Sequence, residues 1–298
     1  MNLSSPAVVK QILAAHGLEP SRSLGQNFLV DENIVKKIVS SANLQPDDNV
    51  LEIGPGIGTL TQELAHHVKH VFAVEKAFKM VKILQTTMAQ EPNITIVQGD
   101  ILAFPLSSLP WQQYRVVANL PYYITAPAIR TFLEADIRPA DLTLVTQKEV
   151  AQRICSRPPD MNILAVSVQF YAMPKLLFTI KRSAFWPQPR VDSAVLHITL
   201  HSNFSHVASK IFFHIIKTGF SQPRKQLLNN LSTGFAQRGS DLSSEKIRQQ
   251  IPFSSRDQIA AWLLRNGIQP NQRAETLSME DWINLTTSIA GTQPHNGK

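Results

Sequence analysis

The sequence predicts an α/β open sheet followed by a smaller helical domain. Three observations carry this. Short apolar runs between residues 49 and 146 alternate with helical stretches, the rhythm of parallel strands joined by crossover helices. From about residue 201 onward every segment has helical spacing instead. The length of 298 residues is also more than one ordinary domain needs.

The elements follow in order. The first 45 residues read as helix. Ser5 is placed to cap, Pro6 suits the first helical position, and Gly17 ends the segment. SLGQNFLV breaks the pattern. Asp31 then caps a helix with Ile34, Val35, Ile38, Val39 and Ala42 on one face. Strands are expected at Asn49–Ile53, His70–Val74, Ile94–Val97, Arg115–Ala118 and Asp141–Thr146. Helices are expected at Leu60–His67, Lys76–Gln90, Ala126–Ala135 and Lys148–Ser156. Two further strands, Lys175–Arg182 and Asp192–Leu200, flank a proline-rich turn. Ile163–Ala172 is open between strand and buried helix, because its β-branched content and its length disagree. Beyond it, Val207–Phe220, Arg224–Ser232, Glu245–Gln250, Arg256–Asn266 and Met279–Ile289 read as helices, and the tail GTQPHNGK as frayed. The expected division is 1–202 for the sheet domain and 203–298 for the helical one.

Apolar residues make up 43% and charged residues 17%, which suits a packed core and excludes wholesale disorder. No run of 18 apolar residues exists, so no membrane span is expected. The first 20 residues lack a basic region ahead of their apolar part, so they do not read as a secretory signal. With a single cysteine, Cys155, the expected setting is a reducing, cytoplasmic one. The net charge is +7 and is uneven: Met161–Ser240 holds nine basic residues against one acid, Asp192. By itself such an excess reads as a solvated face. Beside a nucleic-acid site it would serve phosphate binding through counterion release.

Chemistry begins at residues 49–60, NVLEIGPGIGTL. A strand ends at Glu52, and Gly54, Gly56 and Gly58 let the backbone turn and approach a ligand. The spacing is not the dinucleotide fingerprint, since Thr59 stands where its third glycine would be. Glu75 closes the next strand, where a carboxylate accepts the hydroxyls of a ribose. Asp100 follows the third strand, where an acid accepts from the amine of adenine. After the fourth strand comes Asn119-Leu120-Pro121-Tyr122. The exocyclic nitrogen of adenine is a poor nucleophile because its lone pair is delocalised into the ring. Two acceptors, the Asn119 carboxamide oxygen and the Leu120 carbonyl, would draw it toward tetrahedral geometry. Pro121 fixes φ there, and Tyr122 offers a face on which a base stacks.

These residues sit in a longer pattern. SLGQNFLVD, EIGPGIGTLT, VFAVEK, QGD, NLPYYIT, VTQKEVAQR, SAFWPQPRVDSAV, GFSQPRKQLLNNL and RAETLS occur in the order and spacing of one family. The chain resembles the KsgA/RsmA-type rRNA adenine N6-dimethyltransferases over most of its length. The resemblance implies a Rossmann-like, seven-stranded methyltransferase sheet with a small helical C-terminal domain that binds rRNA. It implies S-adenosylmethionine as methyl donor, no metal, and small-subunit rRNA of the assembling 30S subunit as partner, met by a monomer. It implies two methyls on each of two adjacent adenosines in the 3′-terminal hairpin. By motif, Asn27 and Leu29 close over the donor and Gly54 lies near its methionine part. Glu75 takes its ribose, Asp100 its adenine amine, and Asn119 the reacting end. Tyr122 and Phe185 sandwich the target base, and a helix over Ile163–Ala172 is favoured. The cations beside the proline-stiffened aromatics, Arg190, Arg224 and Lys225, become candidates for RNA contact. One departure is visible. Where the family usually has Tyr-Gly after VTQKEVAQR, this chain has Pro158-Pro159-Asp160-Met161-Asn162.

Two other readings stand beside this one: a large-subunit rRNA adenine methylase of the resistance type, and a non-catalytic nucleic-acid-binding factor on the same fold. His66, His67 and His70 read as surface residues rather than metal ligands. Cys155 reads as a buried small residue, and Phe78 with Val81 as core.

Overall fold

The computed structural model describes residues 1–20, 25–201, 208–236 and 250–290. The chain divides into two compact units, Met1–Gln152 with Ala172–Leu200, and Arg153–Tyr171 with His201–Lys298.

In the first unit the amino-terminal region has the two expected helices, α1 (Pro6–Ala15) and α2 (Glu32–Ser41), with a short strand, β1 (Phe28–Leu29), in the break before α2. Pro6 opens α1, but the Ser5 side chain makes no capping bond. Asp31 does cap α2, accepting from the Ile34 N–H at 3.2 Å. There follow β2 (Asn49–Ile53), α3 (Thr59–Ala65), β3 (His70–Glu75), α4 (Phe78–Thr87), β4 (Ile94–Gln98), β5 (Arg115–Asn119), α5 (Thr125–Leu133), β6 (Asp141–Gln147) and α6 (Lys148–Ile154). The next elements are α7 (Ile163–Gln169), β7 (Ala172–Ile180), β8 (Phe185–Trp186) and β9 (Ser193–Leu200).

Seven strands form one sheet in the order β4-β3-β2-β5-β6-β9-β7. The first five are parallel, and β9 is antiparallel to both of its neighbours. Such a sheet must be covered, and its strands bury apolar residues such as Val50, Leu51, Val71, Val116 and Leu142. Helices α2 and α3 pack Val35, Ile38, Leu60 and Leu64 with Val50, Val71, Val117 and Val195. Helices α1 and α4 pack Val9, Leu13, Met80 and Leu84 with Ala73 and Ile57. Phe78 departs from its expected place in the core. It is 55% exposed, with the Lys82 ammonium 4.6 Å above its ring. Its neighbour Val81 is buried. Strands β1 and β8 form a separate antiparallel pair, Phe28 with Trp186 and Leu29 with Phe185.

At the amino ends of the parallel strands Arg115 binds two acids, Asp48 at 3.1 Å and Asp141 at 3.0 Å. The same guanidinium donates to the Ala42 carbonyl at 3.2 Å.

The second unit is helical: α7, then α8 (Ser209–Gly219), α9 (Leu227–Ala236), α10 (Arg256–Arg265) and α11 (Met279–Ala290). Asn162 decides the helical state of α7, its side chain accepting from the N–H groups of Leu164 and Ala165. Residues 153–171 belong here, whereas the expected single cut after residue 202 left them with the sheet. The reason is burial. Met161, Ala165, Val166 and Phe170 share a core with Phe212, Trp262 and Trp282. Cys155 is half-buried. Arg224 and Lys225 lie in a turn ahead of α9, closed by the Lys225 N–H on the Gln222 carbonyl at 2.9 Å. The expected helix at residues 245–250 lies outside the described residues except for Gln250, as do Arg238 and the tail from residue 291.

Candidate active site

The order of the sheet sets where a ligand sits. From β2 the chain builds outward through β3 to β4, then returns to place β5 on the other side of β2 and continues to β6. The loops after β2 and β5 therefore part company, and open α/β sheets bind ligands in that crevice. A cavity of about 360 Å³ lies there, within the first unit.

One wall is the glycine loop after β2. Gly54, Gly56 and Gly58 have φ of 62°, 60° and 95°, a region that disfavours side chains. At Gly58 a Cβ would also meet Met88 Cε at 2.8 Å. The loop is tied to Glu75, which ends β3. The Glu75 Oε2 accepts from Gly56 N–H at 3.3 Å, and its Oε1 accepts from Ala77 N–H at 2.8 Å. Burial raises the Glu75 carboxyl above its ordinary range, and these main-chain bonds work against the rise.

Beneath the loop lies Glu52, 1% exposed on β2. Burial pushes its carboxyl up to about 8; the Thr61 hydroxyl opposes this, and the Glu75 charge adds to it. Its Oε2 has no hydrogen-bond partner among the described residues. After β4, the Asp100 Oδ1 accepts from Leu102 N–H at 3.1 Å, and its Oδ2 meets the Lys76 Nζ at 2.8 Å. Lys76 holds the Asp100 carboxyl below the usual range.

The opposite wall is Asn119–Ile124. The Asn119 Nδ2 donates to the Asn27 carbonyl at 3.2 Å, and the Asn27 Nδ2 donates to the Gly25 carbonyl at 3.1 Å. Because the first partner is a carbonyl, only the nitrogen of the Asn119 amide fits against it. The oxygen is left as the outward acceptor. Leu120 N–H donates to Val145 O at 3.1 Å, anchoring the turn to β6. Tyr122 opens a 3-10 turn through Ile124, and its hydroxyl lies 2.8 Å from Ser193 Oγ. Burial moves that phenol above its ordinary range.

The structure thus brings together Asn27, Leu29, Gly54, Glu75, Asp100, Asn119, Leu120 and Tyr122 around one cavity. Phe185 is not among its lining residues. Only 3% exposed, it packs in the core with Leu29, Val35 and Ile180, held there by the β1–β8 pairing. Arg190 is exposed in the first unit, and Arg224 and Lys225 are exposed in the second. His66, His67 and His70 each have a separate partner, Glu91, the Glu63 carbonyl and Thr95.

The model of the ribosomal RNA adenine dimethylase family matches residues 17–263. The chain belongs to that family. The dimethylase match is accompanied by curated relatives of similar length. "Ribosomal RNA small subunit methyltransferase A" of Alkaliphilus oremlandii is 38% identical over 97% of this chain and 98% of the relative. The protein of the same name from Geobacillus thermodenitrificans is 36% identical, covering 97% of each. Among solved structures, a dimethyladenosine transferase from Plasmodium falciparum superposes with a TM-score of 0.75 at 21% identity. It covers 88% of this chain and 96% of that one. The 23S rRNA methyltransferase ErmE superposes with a TM-score of 0.67 at 25% identity, over 89% and 100%. The chain is therefore an enzyme of the rRNA adenine dimethylase class on a methyltransferase fold.

Sequence reasoning missed two charged residues that line this cavity. Glu52 carried a signal, an acid inside the apolar run Val50–Ile53. Lys76 carried none, since an exposed lysine after a strand is ordinary.

Proposed function

We propose that this chain transfers methyl groups from S-adenosylmethionine to N6 of two adjacent adenosines in the 3′-terminal hairpin of small-subunit rRNA. The supporting observation is one cavity whose two walls carry different chemistry, acids on one and the Asn119–Tyr122 turn on the other. Its size suits a nucleoside-sized ligand. Glu75 would accept the ribose hydroxyls, Asp100 the adenine amine, and Gly54 would let the methionine part approach the backbone. Asn27 and Leu29 close the same cavity from the amino-terminal segment.

When bound, the donor supplies an electrophilic methyl on a sulfonium centre. The protein's part is to make the target nitrogen nucleophilic. The Asn119 oxygen, aimed by the bond from its own nitrogen to Asn27, and the Leu120 carbonyl accept the two N–H groups of that amine. Tyr122 stacks the base. No general base is needed before attack, because the nitrogen's proton becomes acidic once the methyl is in place. A turned-out base of this kind costs unstacking energy, which stacking on the tyrosine offsets. Arg190, Arg224 and Lys225 are exposed cations suited to phosphates, which position an RNA without specifying it. The reaction runs in the cytoplasm on the assembling 30S subunit, with a monomer as the acting form.

Curated relatives at 36–38% identity are named for the small subunit, and the 23S enzyme stands at 25%, so the small-subunit reading is preferred. Mass spectrometry of both rRNAs from cells with and without this protein tests it. The expected result is loss of N6,N6-dimethyladenosine at two adjacent small-subunit positions. Loss from the large subunit, or no loss, overturns the proposal.

A further inference from the structure

Asp100 is engaged on both oxygens. Its Oδ1 accepts from the Leu102 N–H at 3.1 Å, and its Oδ2 faces the Lys76 ammonium at 2.8 Å. Lys76 itself lines the cavity, with its side chain 60% exposed, against 35% for that of Asp100. It is the only cation among the described lining residues, which include the acids Glu52, Glu75 and Asp100. A purine amine arriving at Asp100 must therefore share or displace a bonded ammonium. Exposed ion pairs of this kind are weak, so displacement is feasible and its cost is small.

We propose that Lys76 is a specificity-determining residue that competes with the donor's purine amine for Asp100 and offers the reverse hydrogen-bonding polarity at the same place. This rests on the reading of Asp100 as the acceptor for that amine. A lone carboxylate accepts only, so at position 6 it rewards an amine and repels an oxygen, which is itself an acceptor. A carboxylate beside a displaceable ammonium holds both polarities. The ammonium lowers the gain from the amine and gives the carbonyl a donor. Lys76 therefore narrows the preference for adenine over hypoxanthine in the bound nucleoside.

The test is titration calorimetry of the full chain with S-adenosylhomocysteine and S-inosylhomocysteine, for wild type, Lys76→Met, Lys76→Arg and Asp100→Asn. Lys76→Met is expected to bind the adenosyl compound about two- to fivefold more tightly. It is expected to bind the inosyl compound more weakly by a similar factor. Lys76→Arg should keep the wild-type ratio, because it keeps the charge and the donors. If Asp100→Asn weakens adenosyl binding and Lys76→Met leaves the ratio of the two ligands unchanged, the proposal fails alone. If Asp100→Asn leaves adenosyl binding unchanged, the assignment of Asp100 fails and the proposal falls with it.

Discussion

The two ends of the parallel sheet treat charge in opposite ways. At the amino ends, one guanidinium sits between two acids, Asp48 and Asp141, at about the distance of a direct hydrogen bond to each. At the carboxyl ends, Glu52, Glu75 and Asp100 face one cavity, and Lys76 touches only the outermost of them. The inner two stand on β2 and β3, neighbours in the sheet, so a charge on Glu75 raises the Glu52 carboxyl further. In the first arrangement the shared guanidinium opposes the rise that burial imposes on the Asp141 carboxyl, although the Asp141 Oδ1 has no hydrogen-bond partner among the described residues. In the second, burial raises both the Glu52 and the Glu75 carboxyls, and no cation touches either of them among the described lining residues. One end shares a guanidinium between its acids, and the other leaves its two inner acids without a cation.

The largest effect follows from the innermost acid. The Glu52 carboxyl has its folded-state value raised from 4.5 to about 8, chiefly by burial. A group raised in this way favours the folded state in its protonated form. That contribution is complete below pH 4.5, where both states hold the proton, and is lost as pH rises to about 8. Replacing the acid by Glu52→Gln removes the titration, whatever constant offset the amide brings. The stability of wild type relative to the variant should fall between these limits by about 1.4 kcal/mol per pH unit at most. Urea unfolding at half-unit pH steps reads this. Parallel curves for the two proteins would end the contrast between the sheet's ends, since burial would then leave the Glu52 carboxyl where it stands in the unfolded chain.

Glu75 comes next, and it sharpens the contrast because it is both a crowded acid and a bonded one. Glu75→Ala should weaken S-adenosylhomocysteine binding by roughly 1.5–3 kcal/mol, the worth of charge-assisted hydrogen bonds. That is about ten- to 150-fold in the dissociation constant. Calorimetry of the two proteins measures it. The same change removes one of the causes that raise Glu52, so the pH range of the first experiment should shift to lower values. Unchanged affinity would mean that the ligand does not reach the end of β3.

The acids at strand ends were legible because their positions carry information: a parallel strand closes, and the next residue faces the crevice. Glu75, Asp100 and Asn119 could be read this way from spacing alone. Other features needed tertiary structure. The β1–β8 pair has two residues on each side, too few to show any period, yet it seats Asn27 against Asn119 and sends Phe185 inward. The helix α7 was ambiguous by composition, and one capping side chain, Asn162, settles it. Residues 153–171 join the helical unit because their apolar side chains are buried there, which no boundary signal in the sequence marks. Phe78 matched the helical spacing of a core residue, but it sits at the first turn of α4 and faces solvent.

The smallest effect is expected at Phe185, behind the cavity wall rather than on it. Its ring packs with Leu29, Val35, Ile180 and Ala184, and its exposure is 3%. Leu29 stands opposite it in the two-residue ladder and does line the cavity. A side chain in that place supports the wall by volume, and volume does not require an aromatic ring. Phe185→Leu should therefore cost about 1–2 kcal/mol of stability and leave the methylation rate within about threefold, measured well below the melting temperature. Methylation of small-subunit rRNA and a thermal melt of the same preparation give the two numbers. If the rate drops a hundredfold while the melt barely moves, the ring itself takes part in holding the target base. Phe185 would then have to leave the core to do so, and the β1–β8 ladder would be a movable part of the site. If rate and stability change together and only slightly, the carboxyl end of the sheet stacks its target on Tyr122 alone, against a wall that Phe185 fills from behind.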